Sequence, residues 1–236
     1  MFLTIKRRHI IIASVCALVF CAAIFAFTFK QTEFVIDMPK DEILVVVDAG
    51  HGGIDGGSVG RSTGIKESEL TLSYALNLMR QLNALGINVV LTRNSEMGLY
   101  NPKASNLKKS DMRKRKQIIE ESAPNMVVSI HMNSFALQSS RGAQVFYKNK
   151  NECGKQLAED IQRQFINSLP YARSTAKVGD YFMVNCTDLP AVIVECGFLS
   201  NSQEEKLLVS RDYQDKVCYS IVCGILDFLD TGKNSE

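Results

Sequence analysis

The chain has 236 residues, 46% hydrophobic and 22% charged, with a net charge of +2. That charge is too small to suggest a nucleic-acid partner, and the composition suits one ordinary globular domain with something added. The basic residues gather in one stretch, Lys103 to Lys116. It reads as a solvated helix face with its leading loop, with contact to an anionic polymer as the sharper alternative.

The added element comes first. Lys6, Arg7 and Arg8 precede an uncharged apolar run from Ile10 to Phe29. About 20 apolar residues suffice to span a bilayer as a helix, and the basic flank stays in the cytoplasm. Residues 1–9 are read as a cytoplasmic stub, 10–29 as a transmembrane anchor, 30–41 as a tether and 42–233 as an extracytoplasmic domain. The alternative is secretion after cleavage. It calls for a shorter apolar stretch and a small-x-small site, and none stands out near Thr28 to Thr32.

Ile43 to Val47 is a continuous apolar run and predicts a buried strand. The segment that follows contains six glycines and one histidine, His51, between Val45 and Gly60. Leu72, Ala75, Leu76, Met79, Leu82 and Leu85 then recur at helical spacing, with Gly86 as a stop. Ile87 to Arg93 is a second strand, which makes a βαβ unit with a right-handed crossover. Asn94 to Ser110 reads as a polar loop and Asp111 to Ser122 as a helix. The strand "NMVVSIHMN" carries His131. "GAQVFY" is a strand and Asn151 to Ser168 an amphipathic helix. "YFMVN" and "AVIVE" are further strands, "SNSQEEKLLVS" a short helix and Asp212 to Leu229 a long one. The fold class is α/β: a single domain whose mostly parallel or mixed central sheet is flanked by helices on both faces.

Seven cysteines are present, Cys16 and Cys21 in the apolar run and five beyond it. An odd number cannot all pair, and no CxxC spacing suggests a thiolate zinc cluster. Most are flanked by apolar residues and should pack as small hydrophobes.

Of the three histidines, His51 and His131 lie in the domain, each just past the carboxyl end of a predicted strand. Ligands bind at that edge of open α/β sheets. Glu67, opening the helix after the glycine loop, and Glu195, ending "PAVIVE", reach the same edge. Taken alone, Glu67 is a charge favoured by the helix dipole. Glu195 follows four apolar residues and is either buried at a cost or aimed into a pocket. Two imidazoles and one carboxylate suit a catalytic zinc ion with a position left for water. A fourth carboxylate can move protons. The four side chains therefore divide into His51, Glu67 and His131 as ligands of one zinc ion and Glu195 as general base and acid. The glycines would let the backbone turn and leave room for substrate.

Other readings of the loop fail. A P-loop requires a lysine that "GHGGIDGG" lacks, and a dinucleotide fingerprint meets Asp55 where its third glycine belongs. Cys196 as a nucleophile would have no free histidine to activate it. Arg93, Arg113 and Arg115 could bind substrate carboxylates, but arginines beside strands and on helices are more often structural pairs. Asp48 and Asp55 could each be a support for the site or a turn former, the turn being preferred for Asp55.

Taken together, "VDAGHGGIDGGSVG", "GIKESELTLSYALNLMRQLNALGINVVLTR", "VVSIHMNS", "GAQVFY" and "LPAVIVECGFLSN" resemble the zinc-dependent N-acetylmuramoyl-L-alanine amidases of the Amidase_3 type. The resemblance runs in order through the whole domain. It implies hydrolysis of the amide between the lactyl group of N-acetylmuramic acid and L-alanine in peptidoglycan. It also puts the family's ligands on His51, Glu67 and His131 and its catalytic glutamate on Glu195. Small size, an N-terminal anchor and no wall-binding repeats look most like the germination-specific spore-cortex amidases. Those act before muramic-δ-lactam formation, with the domain outside the cytoplasm or in the forespore intermembrane space. The alternatives are a non-catalytic peptidoglycan-binding or recruiting domain, or another zinc peptidase or deacetylase of the wall. An activating protein partner is possible, and the sequence names none.

Overall fold

The computed structural model describes residues 43–233. Their elements, in chain order, are β1 (Leu44–Ala49), α1 (Glu67–Ala84), β2 (Asn88–Leu91), α2 (Leu107–Ser122), β3 (Met126–Asn133) and β4 (Gln144–Tyr147). Then come α3 (Glu152–Ser168), β5 (Lys177–Val178), α4 (Phe182–Asn185), β6 (Ala191–Phe198), α5 (Ser202–Leu208) and α6 (Arg211–Lys233). The stub, anchor and tether expected over residues 1–41 lie outside the described residues. Among the described residues, no helix is long and apolar enough to cross a membrane.

The six strands form one mixed sheet in the order β2-β1-β3-β6-β4-β5. β1 is parallel to β2 and β3, β3 to β6, and β4 to β5, while β4 runs antiparallel to β6. Successive side chains of a strand point to opposite faces, so each strand contributes to two cores. Val45, Val47, Val128, Ile130, Val192 and Val194 face α1, α3 and α6. There they meet Leu78, Phe165 and Ile221, all buried. Val46, Val127, Ala191 and Ile193 face the other way, under Ile119 of α2 and Met183 and Val184 of α4.

The same alternation carries chemistry to the carboxyl ends of the strands. Two residues past Val46 stands Asp48, past Val127 come Ser129 and then His131, and past Ile193 comes Glu195. All four therefore share the face covered by α2 and α4. Register sets Asp48 beside Ser129 and His131 beside Glu195.

Two local expectations are corrected. "YFMVN" is not a strand: Phe182–Asn185 is one turn of helix. Met183 and Val184, adjacent in sequence, are both buried, which a helical turn allows and strand alternation does not. α2 begins at Leu107 rather than Asp111, because the Asn106 side chain accepts a hydrogen bond from the Lys109 N–H and caps the helix there. The short edge strand Lys177–Val178, both residues exposed, carries no hydrophobic pattern that would announce it.

Candidate metal centre and the carboxylate beside it

His51 leaves β1 in a left-handed conformation, with φ of 62°. A non-glycine residue adopts this only when its surroundings hold it. Here two buried guanidinium groups do so. Arg93 donates to the carbonyl oxygens of Ala49 and Gly50, and Arg115 donates to those of Ala49 and His51. Three successive carbonyls of the loop are thus pinned, and the imidazole is turned back over the sheet edge.

His131 arrives from β3 and Glu67 from the first turn of α1. The His51 Nε2 lies 3.1 Å and the His131 Nδ1 3.2 Å from the same atom, Glu67 Oε1. The rings stand edge to face, with centroids 4.9 Å apart. One candidate ligand atom from each of the three residues lies within 4.8 Å of the others. Glu67 is itself fixed by the backbone N–H of Met132 on Oε1 and of Ser58 on Oε2.

Two imidazole nitrogens and a carboxylate oxygen turned toward one point are all acceptors when each neutral ring carries its proton on the other nitrogen. A divalent cation satisfies all three at once, and the N/O donor set with one carboxylate suits zinc. The residues therefore fit a metal ion. Burial alone would lower the His51 pKa, but Glu67 and Asp55 outweigh it and raise it. Burial alone would raise the Glu67 pKa, but His131 and His51 hold its carboxyl far below the usual range.

The glycine loop serves this packing, which refines the expectation that it clears room for substrate. A Cβ on Gly50 would lie within 2.8 Å of three atoms of the His131 ring. At Gly57, with φ of +67°, it would meet Glu67 Oε2 at 2.6 Å and His51 Cδ2 at 2.9 Å. Both positions are emptied so that the protein's own imidazoles and carboxylate can approach.

Glu195 stands across from His131 and is 8% exposed. Its Oε2 is buried without a hydrogen-bond partner. Burial pushes its carboxyl up to about 7; the Glu67 charge adds to this, and His131 and His51 oppose it. A carboxyl poised near neutrality can both accept and donate a proton.

Asp55 and Asp48 find different roles. Asp55 Oδ1 accepts from the Gly57 N–H, a turn contact, and also lies 3.0 Å from His51 Nδ1. It is both turn former and support. Asp48 is buried and accepts from Thr92, Ser129 and Arg115. Arg115 also pairs with Asp111 at 2.6 Å. Arg93 and Arg115 are therefore structural, as preferred from the sequence. Their hold on the loop carbonyls was hidden there, since nothing local in "VVLTR" or "DMRKR" points at residues more than 40 positions away. Cys196 points into the opposite core, fully buried. Burial, with Cys218 and Glu195 nearby, drives its thiol pKa well up, so it is no nucleophile.

A cavity of about 440 Å³ opens beside the cluster, lined among others by His51, His131, Ile54, Lys108, Tyr181 and Phe182. A cleft lined by two imidazoles, with Glu67 and the protonatable Glu195 carboxyl against His131, has the parts of a metal-assisted hydrolase. The family model described as N-acetylmuramoyl-L-alanine amidase, Amidase_3, matches residues 45–227. The chain belongs to this family and is an enzyme of that activity.

The chain is 36% identical to the germination-specific N-acetylmuramoyl-L-alanine amidase of Bacillus subtilis over 197 residues, 81% of each chain. It superposes with a TM-score of 0.77 and 32% identity on the CwlD amidase from Clostridioides difficile, solved in complex with the GerS lipoprotein. That match covers 80% of this chain and 100% of the other. The catalytic domain of the amidase CwlV from Bacillus (Paenibacillus) polymyxa gives a TM-score of 0.71 at 31% identity, covering 80% and 98%.

Proposed function

We propose that this amidase is zinc-dependent, with His51, Glu67 and His131 as ligands of one ion and Glu195 as the catalytic acid and base. The observation that carries the reading is the convergence of His51 Nε2 and His131 Nδ1 on Glu67 Oε1. When bound, zinc supplies Lewis-acid polarisation of the scissile carbonyl and makes water acidic near neutral pH. The rest is done by the chain. Glu195, as carboxylate, takes a proton from the water that attacks the lactyl carbonyl carbon. As the C–N bond breaks, the same carboxyl gives that proton to the alanine nitrogen. Burial of Glu195, with its carboxyl near 7, supports both halves of that cycle.

Similarity to a germination-specific relative supports action on spore cortex, as the step before muramic-δ-lactam formation. The apolar run at 10–29 behind a basic flank supports membrane anchoring, with residues 42–233 as the extracytoplasmic catalytic domain. A relative solved with a lipoprotein supports an accessory protein for this chain as well.

The test is mass spectrometry of peptidoglycan treated with the protein, with and without added zinc. Free L-alanine amino termini are expected, and released acetate would instead indicate a deacetylase. Glu195→Ala should lower turnover about 100- to 10,000-fold while zinc content by elemental analysis stays normal. His51→Ala should lose the metal itself. Full activity in the first variant, or normal zinc in the second, overturns the assignment of that residue.

A further inference from the structure

The basic stretch Lys103–Lys116 has an order that its sequence alone did not reveal. Three of its cations do find carboxylates: Lys108 with Asp55, Arg115 with Asp48 and Asp111, and Lys116 with Glu120. Lys103, Lys109, Arg113 and Lys114 form no ion pair among the described residues, and Lys109 and Arg113 stand one helical turn apart. Like charges at this spacing repel, and Lys109 sits in the first turn of α2, where the helix dipole disfavours a cation. Both side chains line a second cavity, of about 590 Å³, together with Tyr100, Asn106, Lys114 and Gln117. No carboxylate lines it. The groove and the pocket beside the His51 cluster share one wall: Tyr100 lines both and packs against Gly53 of the His51 loop.

We propose that this groove is the subsite for the anionic peptide portion of the substrate, its carboxylates held by Lys109 and Arg113. The inference rests on the amidase reading above. Cutting at L-alanine makes the peptide the leaving group, and a peptide held by its amino end still carries its carboxylates. The glycan side offers no such charge once its lactyl group is in the amide. A positively charged groove bordering the pocket thus matches the peptide and not the sugar. Lys109 and Arg113 act by positioning and touch no reacting atom.

The test uses the full-length protein loaded with zinc and a muramoyl-peptide whose carboxylates are free, alongside the same compound with them amidated. Lys109→Gln/Arg113→Gln should raise KM for the free-acid substrate about three- to tenfold, the range for two solvent-exposed ion pairs, with kcat unchanged. Wild type should itself lose the same factor on the amidated compound, and the double variant should no longer distinguish the two. Binding measured by calorimetry in Glu195→Gln should repeat the pattern without turnover. If wild type binds acid and amide equally, the proposal is wrong. If the double variant keeps its KM but loses retention on a polyglycerol-phosphate resin, the groove serves an anionic wall polymer and the proposal is again overturned. A failure of the amidase reading looks different: neither compound is cut by wild type, while the binding difference persists.

Discussion

The two faces of the sheet are built on opposite rules. Against α1, α3 and α6 the strands present a broad apolar surface, which Leu78, Phe165 and Ile221 among others cover. Against α2 and α4 the apolar layer is short, and above it lie Asp48, Arg115, Asp111, His131 and Glu195. Full burial of each aliphatic side chain contributes about 1.5–3 kcal/mol, so the first face supplies most of the stability. Buried ion pairs contribute little net. What the second face gains is position: its guanidinium and carboxylate groups hold the backbone that holds His51. One face keeps the sheet folded, and the other spends buried charge on geometry.

The largest structural effect should come from the charged face. Arg115→Leu removes the cation between two carboxylates and leaves Asp48 buried without its charge partner, which should cost about 3–5 kcal/mol. It also frees the carbonyl of His51 and leaves that of Ala49 to Arg93 alone. Activity per folded molecule should therefore fall as well, measured after correcting for the folded fraction by circular dichroism. On the apolar face, Leu78→Ala should cost about 2–5 kcal/mol by emptying a fully buried site. Its kcat at low temperature should stay within about twofold of wild type, since Leu78 lies about three turns along α1 from Glu67 in its first turn. If Leu78→Ala damaged kcat as much as Arg115→Leu does, the two faces would not be separable, and the comparison would fail.

Legibility follows the same division. The apolar face was readable, because hydrophobic periodicity is local: β1, α1, β2 and β3 stand near their expected places. His51, Glu67, His131 and Glu195 could be grouped because strand ends of an α/β sheet share one edge. What stayed hidden depended on contacts across long separations. Nothing in "DMRKR" tells that Arg115 turns inward while Arg113 faces the groove. Nothing near Gly57 tells that the missing Cβ is displaced by Glu67. The turn at Phe182–Asn185 was misread for a different reason. Four apolar residues in five satisfy a strand or a helical turn alike, and only the packing of Met183 and Val184 decides between them.

The smallest predicted effect isolates the charge of Asp48. Burial by itself would raise the pKa of this carboxyl, but the Arg115 charge and hydrogen bonds from Ser129 and Thr92 outweigh it, lowering the value from 3.8 to about 2. The folded protein therefore holds its proton more weakly than the unfolded chain does. A carboxylate shifted in this direction adds stability that is fully present above about pH 4 and disappears as the pH falls through about 2, in all about 2 kcal/mol. Urea midpoints measured from pH 6 to pH 2 should drop along that limb in wild type. Asp48→Asn keeps one acceptor oxygen, for Thr92 or for Ser129 but not for both, and has no charge to lose. Its midpoint should start lower at pH 6 and fall less steeply below pH 4. Leu78→Ala, destabilised by loss of packing on the other face, should instead run parallel to wild type, offset but with the same acid slope. An equal slope in Asp48→Asn and wild type would mean that acid sensitivity lies elsewhere, and that the buried charges of the second face are held more loosely than their distances imply.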